Sequence, residues 1–180
     1  MINRALELAA KAHAEQKRKG TEIPYITHPC AVAIILGRAG CDDEVIAAGL
    51  LHDTIEDAGI LIEDIKSVFG NRVAEIVNSC SEPDKSLSWE ERKEHTIQHL
   101  SNASSDIKYV ACADKLHNLS TIAADLKTHG TDLWCRFNRG QDSQAWYYRG
   151  VVNALGNNEF SNTAIYGEFS SLVKEVFGAP

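Results

Sequence analysis

The stretch VIAAGLLHDTIEDAG, residues 45–59, decides how this chain is read. Its first seven residues are apolar or small and lead directly into His52 and Asp53. Glu56 and Asp57 follow within one more helical turn. Ionised groups behind two leucines are costly to bury unless they are paired or bound to a metal. Just ahead stand Asp42 and Asp43, whose side chains can cap a helix over about 44–53. If that helix continues, Glu56 stacks one turn beyond His52 and Asp57 one turn beyond Asp53. A tight turn at Asp53 can also aim both acids at one point. Taken alone, His52 and Asp53 also fit a structural ion pair.

Outward from this stretch, helical periodicity dominates. Residues 2–17 repeat apolar or small side chains along one face, as an amphipathic helix does. A loop follows over 17–27, where Gly20 breaks the helix and Pro24 keeps its predecessor extended. Pro29 suits the first turn of a helix through CAVAIILGRAG, with Gly37 and Gly40 as stop signals. Further helices are expected over 61–69, ending at Gly70, and over 71–80. SEPDKSLS, residues 81–88, reads as a polar loop. Ser88 with Glu91 three residues on is a capping-box signature for a helix through Leu100. A long helix over about 106–126 is broken by THGTD, and two more are expected near 143–155 and 159–176. No internal repeat or Gly-, Ser- or Pro-rich linker divides the chain. The expectation is an all-α, single-domain helical bundle spanning 1–180.

At 180 residues, 44% hydrophobic and 24% charged, the chain has the composition of a globular protein with a sizeable core. A net charge of −7 argues against an affinity built on the nucleic-acid backbone, so no nucleic-acid partner is expected. Five cysteines, an odd number without a CxxC, read as buried free thiols in a reducing cytosol. The first residues, MINRALELAAKAH, lack an apolar signal core, and the apolar runs are too short to span a membrane. A cytoplasmic protein with no membrane partner is expected.

Four stretches carry chemistry: RKGTEIPYITHP, HDTIED, WEERK and ADKLHN. Metal sites inside helical bundles take ligands from different helices, all facing inward. His28, His52, Asp53 and Asp114 offer two nitrogens and at least two oxygens, a mix that suits Mn²⁺ and, less well, Zn²⁺ or Fe²⁺. His95 and His99 have the spacing of a helical metal pair but read as an exposed face, since no Glu follows the first. His13 and His117 read as packing or polar-network residues. Core packing accounts for most of Trp134, Phe137, Trp146, Tyr147 and Tyr148.

HPCAVAIIL, LLHDTIEDAG and ADKLHNL, in that order, resemble the hydrolase half of RelA/SpoT-type alarmone enzymes. RK and PYI ahead of the first histidine strengthen the likeness. The compact length is similar to the small stand-alone alarmone hydrolases, metazoan SpoT-like forms among them, within the wider HD-domain phosphohydrolases. The likeness runs from about residue 9 to residue 120.

The resemblance implies that His28, His52, Asp53 and Asp114 hold the metal. It implies that Glu56 and Asp57 position and activate the attacking water. Arg18 and Lys19 match a basic pair near the nucleotide and its phosphates, and Asn118 a residue lining the nucleotide site. Lys115, with the Arg18/Lys19 pair, can balance pyrophosphate charge. The implied activity is metal-dependent removal of the 3′-pyrophosphate from ppGpp or pppGpp, a small-molecule nucleotide substrate, giving GDP or GTP. The alternatives are an HD-class phosphohydrolase acting on adenosine alarmones or another nucleotide, and a non-catalytic nucleotide sensor. Intact Glu56 and Asp57 speak against the sensor, which has no need of a water-activating pair.

Overall fold

The computed structural model describes residues 1–81 and 86–178, so half of the polar loop expected over 81–88 lies outside the described residues. Among the described residues the helices are α1 (Ile2–Ala12), α2 (Thr27–Arg38), α3 (Asp43–Leu51), α4 (Thr54–Ala58) and α5 (Ile62–Phe69). After them come α6 (Asn71–Cys80), α7 (Trp89–Asn102), α8 (Ser105–His129), α9 (Gln141–Leu155) and α10 (Ala164–Phe177). No β-strand forms among these residues, so the all-α expectation holds. None of the described helices is long and apolar enough to cross a membrane.

The chain forms two compact units, Met1–Pro83 with Ser104–Asp114, and Asp84–Ala103 with Lys115–Pro180. In the first unit α3 is the central element and packs on α1, α2 and α6. Its apolar run explains this: Val45, Ala47, Ala48, Leu50 and Leu51 are all buried, and only its first residue, Asp43, is exposed. Gly49 sets the closeness of α2 and α3. A Cβ there would stand 2.4 Å from Leu36 Cδ1 and 3.3 Å from Val32 Cγ1.

α3 begins as expected. Asp42 caps it, its Oδ1 accepting from the amides of Glu44 and Val45 at 3.1 Å each. Arg72 of α6 reinforces this end. Its Nη1 donates to Asp42 Oδ2 at 2.8 Å and Glu44 Oε2 at 2.9 Å, while its Nε donates to Asp106 Oδ2, at the start of α8, at 2.8 Å.

α1 is shorter than its periodicity predicts, ending at Ala12 rather than near residue 17. The cause is non-local. The chain turns after His13 so that the Tyr25 amide can donate to Gln16 O at 2.8 Å and the Arg18 amide to Ile23 O at 2.9 Å. This antiparallel bridge, Lys17 to Pro24, folds the basic loop back and delivers Tyr25 to the approach to α2 and His28 to its first turn.

In the second unit the capping box is present, with the Glu91 amide donating to Ser88 Oγ and the Ser88 amide to Glu91 Oε2. α7 packs on α9, and α9 on α10. The aromatic segment is mostly core: Trp134, Tyr147 and Tyr148 are buried, but Trp146 is exposed. Two boundaries differ from the sequence reading. α8 persists to His129 and stops only at Gly130, whose φ of +60° favours glycine. Residues expected to open the last helix form a separate 3₁₀ turn, Glu159–Asn162, because Thr163 caps α10 by accepting from the Tyr166 amide. The cysteines are free as expected, yet only Cys112 is buried. Cys30, Cys41 and Cys80 are half-buried, and Cys135 sits exposed on a 3₁₀ turn.

Candidate functional site

The helix over 44–53 does not run to Asp53. α3 stops at Leu51, and α4 starts at Thr54. Thr54, buried, donates its hydroxyl to Leu51 O at 2.7 Å and so holds the break. Asp53 takes φ −97° and ψ −4°, outside the helical ladder but near helical conformation. Its carbonyl accepts from the Asp57 amide at 2.9 Å, which restarts the helix. The break lets His52 and Asp53, adjacent in sequence, face the same point.

Two further side chains meet them. His28 comes from the first turn of α2, and Asp114 from α8. His28 Nε2 lies 3.2 Å from Asp114 Oδ1 and 3.7 Å from Asp53 Oδ2. His52 Nε2 lies 3.0 Å from Asp53 Oδ2 and 3.9 Å from Asp114 Oδ1. Donor atoms of His28, His52 and Asp114, all buried, lie within 4.8 Å of one another. Donors about 2.1 Å from one ion stand roughly 3.0–3.4 Å apart when adjacent, and the observed spacings bracket that range.

The surroundings fit a cation. His52 Nδ1 faces Gly49 O at 2.8 Å, a carbonyl that can only accept, so the imidazole proton sits on Nδ1. In the neutral ring, the form that binds a metal, Nε2 then offers its lone pair inward. It is buried, and Asp53 Oδ2 lies 3.0 Å away. Burial opposes charge on His52, but the carboxylates of Asp53 and then Asp114, together with the Gly49 carbonyl, outweigh it and lift the imidazole to about 9. A point that draws a proton so strongly also draws a divalent ion. Burial likewise pushes Asp53 up, but the adjoining His52 and the Tyr25 hydroxyl hold it down at about 2. His28, His52 and Asp114 thus form a group that could hold a metal ion, with Asp53 Oδ2 beside it, 3.0 Å from His52 Nε2.

Tyr25 is a supporting residue that sequence reading missed. Its hydroxyl donates to Asp53 Oδ2 at 2.6 Å. Burial first, then the Asp53 charge, push its phenol far above the usual range, so it remains a donor. PYI was visible as a motif, but a bond spanning 28 positions leaves no local signal.

Of the two acids, Glu56 is half-buried and Asp57 exposed, both on α4. Asp57 Oδ2 accepts from Gln16 Nε2 at 2.9 Å, and Gln16 Oε1 faces His13 Nδ1 at 2.7 Å. Gln16 too was missed. The Arg18 guanidinium carbon lies 5.7 Å from the Tyr25 ring centroid, which keeps this arm of the basic loop beside the residue that supports Asp53. Lys19 is exposed on the same loop. Lys115 and Asn118 belong to the second unit, where Lys115 Nζ lies 5.9 Å and Lys93 Nζ 5.2 Å from the Tyr147 ring centroid. His95 and His99 are exposed on α7, as the sequence reading has them.

Comparison with known proteins finds relatives over most of the chain. The HD domain family matches residues 5–140. A zebrafish (Danio rerio) protein named guanosine-3′,5′-bis(diphosphate) 3′-pyrophosphohydrolase MESH1 is 40% identical over 156 residues, 85% of this chain and 83% of its own. The crystal structure of lmo0812 from Listeria monocytogenes EGD-e superposes with a TM-score of 0.79 at 42% identity, covering 84% of this chain and 99% of that one. A metazoan orthologue of SpoT, described as hydrolysing ppGpp, superposes with a TM-score of 0.80 at 29% identity, covering 99% of this chain and 96% of that one.

Proposed function

This chain belongs to the HD-domain family, and from that premise we propose that it is a hydrolase removing the 3′-pyrophosphate from the guanosine alarmones ppGpp and pppGpp. The observation that carries the reading is the convergence of His28, His52, Asp53 and Asp114, with the orphaned Nε2 of His52 turned inward. The mixed nitrogen and oxygen donors favour Mn²⁺ among divalent ions. When bound, such an ion supplies Lewis acidity toward a phosphoryl oxygen and toward water.

The chain's own residues do the rest. Glu56 and Asp57 sit on α4, the short helix that starts directly after Asp53, and a carboxylate there accepts the proton of the attacking water. The water oxygen bonds to the phosphorus attached to the 3′ oxygen. The bond from that phosphorus to the 3′ oxygen breaks, and the 3′ oxygen takes up a proton. The anhydride between the two leaving phosphates is untouched, so pyrophosphate departs intact with GDP or GTP. Arg18 and Lys19 meet phosphate charge from the folded-back loop. Charge assigns Lys115 a phosphate contact, and the resemblance assigns Asn118 a nucleoside contact. The catalytic entity is a single HD-type domain, with the family match at 5–140 drawing on both compact units. Five free cysteines suit the reducing cytoplasm.

A turnover assay with resolved products tests this reading. Mn²⁺-loaded protein is offered ppGpp and its adenosine counterpart. Intact pyrophosphate from ppGpp is the expected product. Orthophosphate as the first product, or a preference for the adenosine compound, points to another phosphohydrolase of the same family.

A further inference from the structure

We propose that His13 and Gln16 form a positioning pair that orients the carboxylate of Asp57, a proposal that rests on reading Asp57 as a proton acceptor. Asp57 is exposed on a helix of five residues, a place where a carboxylate ordinarily rotates freely. Here Gln16 Nε2 takes Oδ2 at 2.9 Å and leaves Oδ1 as the accepting oxygen.

The orientations along the pair follow from donor and acceptor chemistry. An ionised carboxylate only accepts, so Gln16 must present its NH₂ group to Asp57. That turns Gln16 Oε1 toward His13, and Oε1 also only accepts. His13 Nδ1, 2.7 Å away, must therefore carry the imidazole proton.

His13 is well placed to be the fixed end. It caps the C-terminus of α1, its amide donating to Ala9 O at 3.0 Å, and its ring is almost fully buried. The ring also packs against Tyr25 at a centroid distance of 4.9 Å, and Tyr25 in turn holds Asp53. One buried imidazole thus braces a metal ligand on one side and the acid on the other. Its Nε2 is buried without a hydrogen bond. An apolar side chain would fill the same space without leaving a polar atom unsatisfied. The imidazole is accounted for by what its other nitrogen holds.

The test compares Gln16→Leu, His13→Leu, His13→Asn and Asp57→Asn in the full chain, loaded with Mn²⁺ and turning over ppGpp. Bound metal and Tm are measured on the same preparations. Gln16→Leu is expected to lower kcat about ten- to a hundredfold with KM and metal content within about twofold of wild type, the scale of a misplaced group. His13→Leu should lose kcat similarly while keeping Tm, because it preserves packing. His13→Asn places an amide nitrogen near the Nδ1 position and should recover most of the kcat at a lower Tm. In the Asp57→Asn background, Gln16→Leu should add no further loss.

If kcat follows Tm across the two His13 variants, the role is packing and the proposal is overturned. Gln16→Leu turning over at the wild-type rate while Asp57→Asn is slow overturns the pair alone. Asp57→Asn at the wild-type rate overturns the acid reading, and the pair with it. Should His13→Leu fail to fold, the half-buried Gln16 variant, alone and in the double-mutant comparison, decides the question.

Discussion

Tyr25 and Asp53 are joined by a 2.6 Å hydrogen bond, from the loop ahead of α2 to the break between α3 and α4. The bond fixes which Asp53 oxygen faces the histidines and which direction it takes. Partners of metal ligands typically contribute about 10–100-fold to metal affinity. Tyr25→Phe keeps the ring and its packing on His13 and removes only the donor. Its metal affinity, measured by titration of stripped protein, should fall within that range while the helical spectrum is unchanged. Unchanged affinity would mean the phenol only fills space.

Chelation and substitution should separate holding the ion from handling the proton. Protein stripped by a chelator should lose hydrolysis, and Mn²⁺ should restore it. His52→Ala and Asp53→Ala should lose metal and activity together. Glu56→Gln and Asp57→Asn should keep the ion yet slow single-turnover hydrolysis, by about 10²–10⁴-fold for whichever is the general base. Full activity in exhaustively demetallated protein would remove the metal from the mechanism.

Gly49 should resist enlargement. A Cβ at this position meets Leu36 Cδ1 at 2.4 Å, and relief requires Leu36 to leave its rotamer in a filled core. Overpacking of this kind typically costs about 1–3 kcal/mol. Denaturant titration of Gly49→Ala should find a loss of that order. Because the same residue's carbonyl holds His52 Nδ1, metal affinity should fall as well. A stability equal to wild type would show that α2 and α3 separate without strain.

The Arg72 cluster should leave a signature in acid. Asp42 is held below its ordinary carboxyl value, first by the Arg72 hydrogen bond and then by the Val45 amide. Its folded pKa is thus lower than its unfolded one. The unfolded chain takes the proton first as pH falls, so this stabilisation is present above the ordinary carboxylate range and is lost below it. Arg72→Met should be less stable than wild type near neutral pH. The gap should narrow as pH falls from about 6 to about 3. Urea midpoints across that range give the measurement, and a gap independent of pH would rule out the ionic origin.

The parts of the molecule that were legible in the sequence are those that local chemistry determines. Ser88 and Glu91 announced α7 because a capping box is closed within four residues. Asp42 announced α3 in the same way. His28, His52, Asp53 and Asp114 stood out because ligand-type side chains beside apolar runs are costly without a partner. What stayed hidden depends on distant parts of the chain. The end of α1 is set by pairing of 16–18 with 23–25, and periodicity that ran on past Ala12 gave no hint of it. The roles of Tyr25, Gln16 and His13 appear only when residues far apart in sequence are brought into contact.

The wide spacing along the chain of the four residues proposed to hold the ion has a bearing on lifetime as well as chemistry. An unfolded chain cannot present His28, the His52–Asp53 turn and Asp114 together, so an ion bound there would select the native state. At a hundredfold excess over its dissociation constant, an ion bound this way adds about 2.7 kcal/mol to stability. A shift of that size changes steady-state abundance in a cell several-fold. Scarcity of the ion would then deplete the protein itself, through degradation of unfolded chains, beyond the turnover lost from each molecule that remains.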